Sequence, residues 1–129
     1  MQIFWTSWVS LFALAMYFWT IVEVGKARGR HKIPAPSVDG PEEFLRALRV
    51  QSNTVEQMVF FFPVLFLCAF WLSDPWAALG GGIWVAGRIW YALAYLKEAK
   101  KRAPGFMIST LASVALFLGA LLGLSGILH

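Results

Sequence analysis

Charge is scarce in this chain. Only 14% of its 129 residues are Asp, Glu, Lys or Arg, while 59% are hydrophobic and 16% aromatic. A soluble domain is about a quarter charged. No soluble core of this length hides so much apolar surface, so the composition points to lipid as the solvent of a single domain. Cysteine is almost missing. Cys68 stands alone in an apolar run, which excludes an internal disulfide and reads as a buried structural thiol rather than an activated one. Histidine is equally sparse: His31 lies in a basic loop and His129 is the last residue, neither with partners at metal-ligand spacing. There is no phosphate-cradling glycine loop, since Gly80-Gly81-Gly82 falls in an apolar segment, and no Ser/His/Asp arrangement. No metal site, nucleotide loop or protein nucleophile is therefore expected.

What is present is apolar length. About 20 apolar residues span a bilayer, and four segments qualify: about 3–25, 44–72, 75–97 and 104–128. The expected fold class is all-α, an integral membrane four-helix bundle covering 1–129. The first segment has no basic residues before it, too long an apolar stretch for a signal peptide and no small-residue cleavage site after it, so it reads as a retained helix. Gly40-Pro41-Glu42-Glu43 looks like a helix start, with proline at the first helical position and acids in the first turn. Ser73-Asp74-Pro75 looks like a tight turn with Asp74 as the N-cap of the third helix. Pro63 predicts a kink in the second. Small residues crowd the fourth helix, among them Ser109, Ala112, Ser113 and Gly123, which suits close helix packing.

The charges are distributed unevenly. All 11 lysines and arginines lie in or near the first and third connections. The positive-inside rule makes loops 26–43 and 97–103 cytoplasmic and puts both termini on the opposite side, in the inner membrane if the source is bacterial. Trp5, Trp8, Trp71 and Trp76 would then form an aromatic belt at the far interface.

Two helical stripes carry chemistry. Arg46, Arg49, Asn53 and Glu56 follow one another at spacings of three and four, so they share a face of the second helix and run inward from the membrane surface. A carboxylate at that depth requires a partner. The third helix offers Arg88, Tyr91 and Tyr95, with Arg102 beyond. Arg88 sits inside an apolar span; Glu56 is its expected partner and Glu23 the alternative. The alternative reading of this pattern is a structural salt-bridge network between helices, and for the tyrosines it is interfacial anchoring. Taken together, the guanidiniums, phenols, amide and carboxylate describe a pocket for a small anionic molecule beside a lipid-facing wall.

These residues have a familiar look. RALRVQSNTVEQMVFFFPVLFL resembles the second-helix signature of the MAPEG family, the membrane-associated proteins in eicosanoid and glutathione metabolism, and GRIWYALAYLKEAKKRAPG resembles its third-helix pattern. The resemblance implies a homotrimer with glutathione, as co-substrate, bound between neighbouring subunits. It implies a glutathione transferase or peroxidase acting on hydrophobic compounds. By position, Arg28, Arg49, Gln51, Asn53, Glu56, Arg88, Tyr91 and Tyr95 would bind glutathione, with Glu56 holding its amino group. Arg102 would be the catalytic residue, its guanidinium beside the sulfur. Ser52, Gln57 and Ala103 depart from residues found in some branches. The alternative is a non-catalytic, ligand-binding member of the same fold. A small multidrug transporter fits less well, because its carboxylate belongs deep in the first helix and Glu23 lies at the end.

Overall fold

A computed structural model describes residues 3–127, and within them the chain forms four helices. These are α1 (Phe4–His31), α2 (Glu42–Trp71), α3 (Asp74–Lys97) and α4 (Ala103–Leu124), with a 3₁₀ turn, Ala99–Arg102, leading into α4. The expected helix end at Leu128, and His129, lie outside the described residues. α1 runs on to His31 instead of stopping near Gly25, because a run of Lys and Arg forms helix readily and favours the negative end of the helix dipole. It ends where Lys32 turns left-handed, at φ 53°, and donates its backbone N–H to the Arg28 carbonyl. α2 stays helical across Pro63. Pro41 takes the N-cap position of α2, with Glu42 and Glu43 in the first turn as expected.

α1, α2 and the segment Ala99–Leu124 are each long and apolar enough to cross a membrane. α3, at 24 residues, has the length of a further span. It carries Arg88 and packs against each of the other three helices. The outer surface is apolar, with Phe18, Val59, Phe70 and Leu111 all exposed. An apolar exterior of this extent belongs in lipid, where every backbone group has to be satisfied within its own helix. The protein is an integral membrane helical bundle.

The interior has an aromatic centre. The Phe61 and Trp84 rings, both fully buried, stack at 3.8 Å with an interplanar angle of 6°. Toward the basic end the α3–α4 seam closes to backbone contact. A Cβ on Gly105 would collide with the Tyr91 backbone and lie 2.8 Å from the Gly87 carbonyl oxygen. Glycine is required here to let α4 approach the turn of α3 that carries Tyr91.

The two ends of the bundle are tied differently. At one end the Asp74 carboxylate accepts hydrogen bonds from the backbone N–H groups of Trp5 (2.9 Å) and Thr6 (2.8 Å). Asp74 therefore caps α1, not α3. The cap of α3 is Ser73, whose Oγ accepts from Trp76 N–H at 3.1 Å. Sequence spacing placed a capping oxygen one residue too late, since the first orphan donors within reach of Asp74 belong to a helix 68 positions away. At the other end Glu43 accepts from Arg30 Nε at 3.0 Å and lies 2.8 Å from His31 Nε2, joining α1 to α2. Arg46 Nε donates to the Leu96 carbonyl, joining α2 to the end of α3.

Gly105→Ala should lower the stability of the bundle in detergent by about 1–3 kcal/mol through overpacking. Gly25→Ala, whose Cβ would meet nothing within 4 Å, should be neutral or stabilising by about 1 kcal/mol; thermal unfolding of the two variants gives the comparison. Asp74→Ala should cost about 1–2 kcal/mol and Asp74→Asn distinctly less, as expected for a lost helix cap. Equal losses for the two would remove the cap as the explanation.

Candidate functional site

The two stripes meet at the basic end of the bundle. α2 turns Arg49, Ser52, Asn53 and Glu56 toward Tyr91 and Tyr95 of α3, and Arg102 closes the ring from the 3₁₀ turn. Together they line an open polar cleft of about 290 Å³. Beside it lies a second cleft, about 610 Å³, walled by Phe106, Met107 and Ala103 of α4 with Lys100 at its edge. Asn53, Tyr91 and Arg102 line both.

The cleft is built from helix geometry and ring packing. Residues 49, 53 and 56 recur at the helical repeat, so one face of α2 presents them together. Tyr91 and Tyr95, one turn apart, pack edge to face at 5.5 Å between ring centres. The Arg102 guanidinium lies 5.6 Å from the centre of the Tyr95 ring, and its Nη1 donates to the Ala99 carbonyl at 2.7 Å. That bond holds the arginine against its own turn and leaves the rest of the guanidinium facing outward. The site thus joins cationic, anionic and neutral polar groups along one edge of an apolar groove, an arrangement suited to a small zwitterion next to a lipophilic partner.

Arg88 departs from its expected pairing. It is fully buried, and Nη2 donates to Asn53 Oδ1 and to Thr54 Oγ1, both at 2.8 Å. Its guanidinium lies 4.1 Å from the centre of the Tyr91 ring. Neither Glu56 nor Glu23 is its partner. Glu56 sits two residues past Thr54, a rotation of about 200° on the helix, and is exposed in the cleft. Glu23 pairs with Lys26 on its own helix at 3.3 Å. Two oxygen acceptors and a ring face take the role expected of a carboxylate.

Two other candidates lie elsewhere. Gln51 Nε2 donates to the Tyr17 hydroxyl at 3.3 Å, on the α1 side of α2. Arg28 donates to the Ser37 carbonyl at 2.8 Å and stacks over Phe44 at 5.0 Å, fixing the loop after α1. Neither lines the cleft. Within one chain, Arg49, Asn53, Glu56, Tyr91, Tyr95 and Arg102 come together, and Arg28 and Gln51 stand apart from them, each with its own contacts. Sequence spacing alone did not single out Phe106, Met107 and Lys100, because nothing in their pattern distinguishes a groove wall from a lipid-facing or solvated side chain.

Comparison with known proteins agrees with this architecture. The chain is 35% identical over 114 residues to microsomal glutathione S-transferase 2 of Homo sapiens, covering 88% of this chain and 78% of that protein. It is 29% identical over 116 residues to leukotriene C4 synthase of Cavia porcellus, covering 90% and 77%. It is 39% identical over 123 residues to an uncharacterized protein of Synechocystis sp., covering 95% and 90%. The model of the MAPEG family matches residues 6–122, nearly the whole bundle with both stripes inside it, and the chain belongs to that family.

Proposed function

We propose that the protein is a membrane-bound, glutathione-dependent transferase or peroxidase acting on lipophilic electrophiles or hydroperoxides. The observation that carries this reading is the junction of the polar and apolar clefts at Asn53, Tyr91 and Arg102. Glutathione is a zwitterion with two carboxylates, one ammonium group and a thiol. Glu56 supplies the acceptor for the ammonium, and Arg49 a cation for a carboxylate. Asn53 and the two phenols supply neutral hydrogen bonds. The thiol then falls at the junction, against Arg102, with the apolar groove open beside it.

Only a small fraction of a free thiol, with a pKa of about 8.5, is ionised at neutral pH. A guanidinium beside the sulfur favours the thiolate, and a site shielded from water strengthens that attraction. In the transferase reaction the thiolate forms a sulfur–carbon bond with the electrophile, whose leaving group or epoxide oxygen carries away the electron pair and takes up a proton. In the peroxidase reaction the thiolate attacks the hydroperoxide, breaking the oxygen–oxygen bond. This leaves an alcohol and a glutathione sulfenic acid, which a second glutathione converts to disulfide and water. Neither route requires a nucleophile from the protein.

Arg28 and Gln51 fit this reading through a neighbouring copy. A cyclic homotrimer sets one face of each chain against a different face of the next. That arrangement would bring Arg28 and Gln51 of one chain toward the cleft of its neighbour and complete the binding site. On the positive-inside rule the basic end of the bundle, and with it the glutathione site, faces the cytoplasm.

Arg102→Ala should reduce kcat/KM for conjugation of a generic aromatic electrophile on the order of a hundredfold. It should also abolish the ultraviolet absorbance of bound thiolate while glutathione still binds. Undiminished thiolate absorbance would remove Arg102 from the mechanism. Glutathione binding with no turnover in the wild-type protein would favour the ligand-binding alternative. Subunit sharing has its own test. Chains carrying Arg28→Ala and chains carrying Arg102→Ala, each inactive alone, should on co-expression recover on the order of a quarter of the wild-type sites, the fraction expected when subunits pair at random. No recovery would place both arginines at sites within single chains.

A further inference from the structure

We infer that Arg88 is a positioning residue: from beneath the cleft it fixes the side-chain amide of Asn53 and seats the Tyr91 ring, so that Asn53 turns its NH₂ donors to the ligand. The inference rests on the glutathione reading for the ligand's identity; the lock on Asn53 is a property of the ligand-free chain.

Three observations carry it. First, Arg88 is fully buried and lines neither cleft. Second, of the three residues shared by both clefts, two rest on Arg88: Asn53 through a hydrogen bond of 2.8 Å and Tyr91 through a ring contact at 4.1 Å. Third, the chemistry of the contact has one solution. A guanidinium has donors and no acceptor, so only the amide oxygen of Asn53 can face it. The NH₂ group is then the part of Asn53 left for the cleft.

The consequence is selectivity. An asparagine free to flip can greet a donor or an acceptor. Asn53 held by Arg88 is fixed with its NH₂ toward the cleft, and so favours a carbonyl, carboxylate or thiolate at the junction of the clefts. Thr54, fully buried, accepts the second Nη2 bond and anchors the arginine without reaching the cleft. Lysine is a poor substitute, since an ammonium group lacks the planar face that lies on Tyr91.

The test uses Arg88→Met, Arg88→Lys, Asn53→Ala and Thr54→Val in the full chain. In ligand-free protein, the side-chain NH₂ resonances of Asn53 should shift and exchange faster in Arg88→Met, and recover in part in Arg88→Lys. Glutathione affinity should fall about tenfold in Arg88→Met, but less than about twofold when the same change is made in an Asn53→Ala background, the non-additivity expected of residues acting through one another. Thr54→Val should lower the melting temperature and leave glutathione affinity within about twofold. Unmoved Asn53 resonances in Arg88→Met would overturn the inference. So would equal affinity losses in the Thr54→Val and Arg88→Met variants, or additive losses in the cycle. If the wild-type protein binds no glutathione, the proposed function fails, while the Asn53 resonances still decide whether Arg88 holds the amide.

Discussion

Backbone contact between α3 and α4 at Gly105 is the constraint on which the site depends. Two helices normally stand apart by the bulk of their side chains. Here glycine removes that spacer, and the first turn of α4 comes to rest on the turn of α3 that holds Tyr91. The 3₁₀ turn just before α4 is carried along with it. Arg102 in that turn therefore reaches the Tyr95 ring, although in sequence it is separated from the tyrosines by a run of lysines. A larger residue at position 105 would push α4 outward and open both clefts at once.

The rest of the bundle separates two problems. At the end bearing Trp5, Trp71 and Trp76, the Asp74 carboxylate satisfies backbone donors at the start of α1 and locks α1 to α3. At the opposite end the cations accumulate, and the ties between helices are charged: Glu43 with Arg30 and His31, and Arg46 with the Leu96 carbonyl. The aromatic stack of Phe61 on Trp84 lies between them. The polar groups that a ligand can meet are concentrated at one end.

Placing a guanidinium inside such a bundle is costly unless it is satisfied. Arg88 is met at Nη2 by two neutral oxygens and on its face by an aromatic ring rather than by a carboxylate, while its Nε and Nη1 are buried without a hydrogen-bond partner among the described residues. That leaves Glu56 without an internal cation and therefore available in the cleft. Had the two paired, the acidic group would be neutralised and the cleft would be uniformly cationic. The observed pairing keeps both signs of charge exposed there, which a zwitterionic ligand requires.

The sequence by itself determined the helical bundle and its charge asymmetry. Both follow from composition against lipid: apolar runs of spanning length become helices, and cations collect in alternate loops. Helical spacing also brought Arg49, Asn53 and Glu56 onto one face, and Tyr91 and Tyr95 onto another, because a period of 3.6 residues can be counted along the chain. Only the tertiary structure decided which helix each polar group serves. It gave Asp74 to α1 and Ser73 to α3, gave Arg88 to Asn53 and Thr54, and set Arg28 and Gln51 apart from the cleft. Those outcomes depend on how far each helix is rotated and how closely it approaches its neighbours. Periodicity within one helix says nothing about the rotation of the next; contacts such as Gly105 on Tyr91 set it.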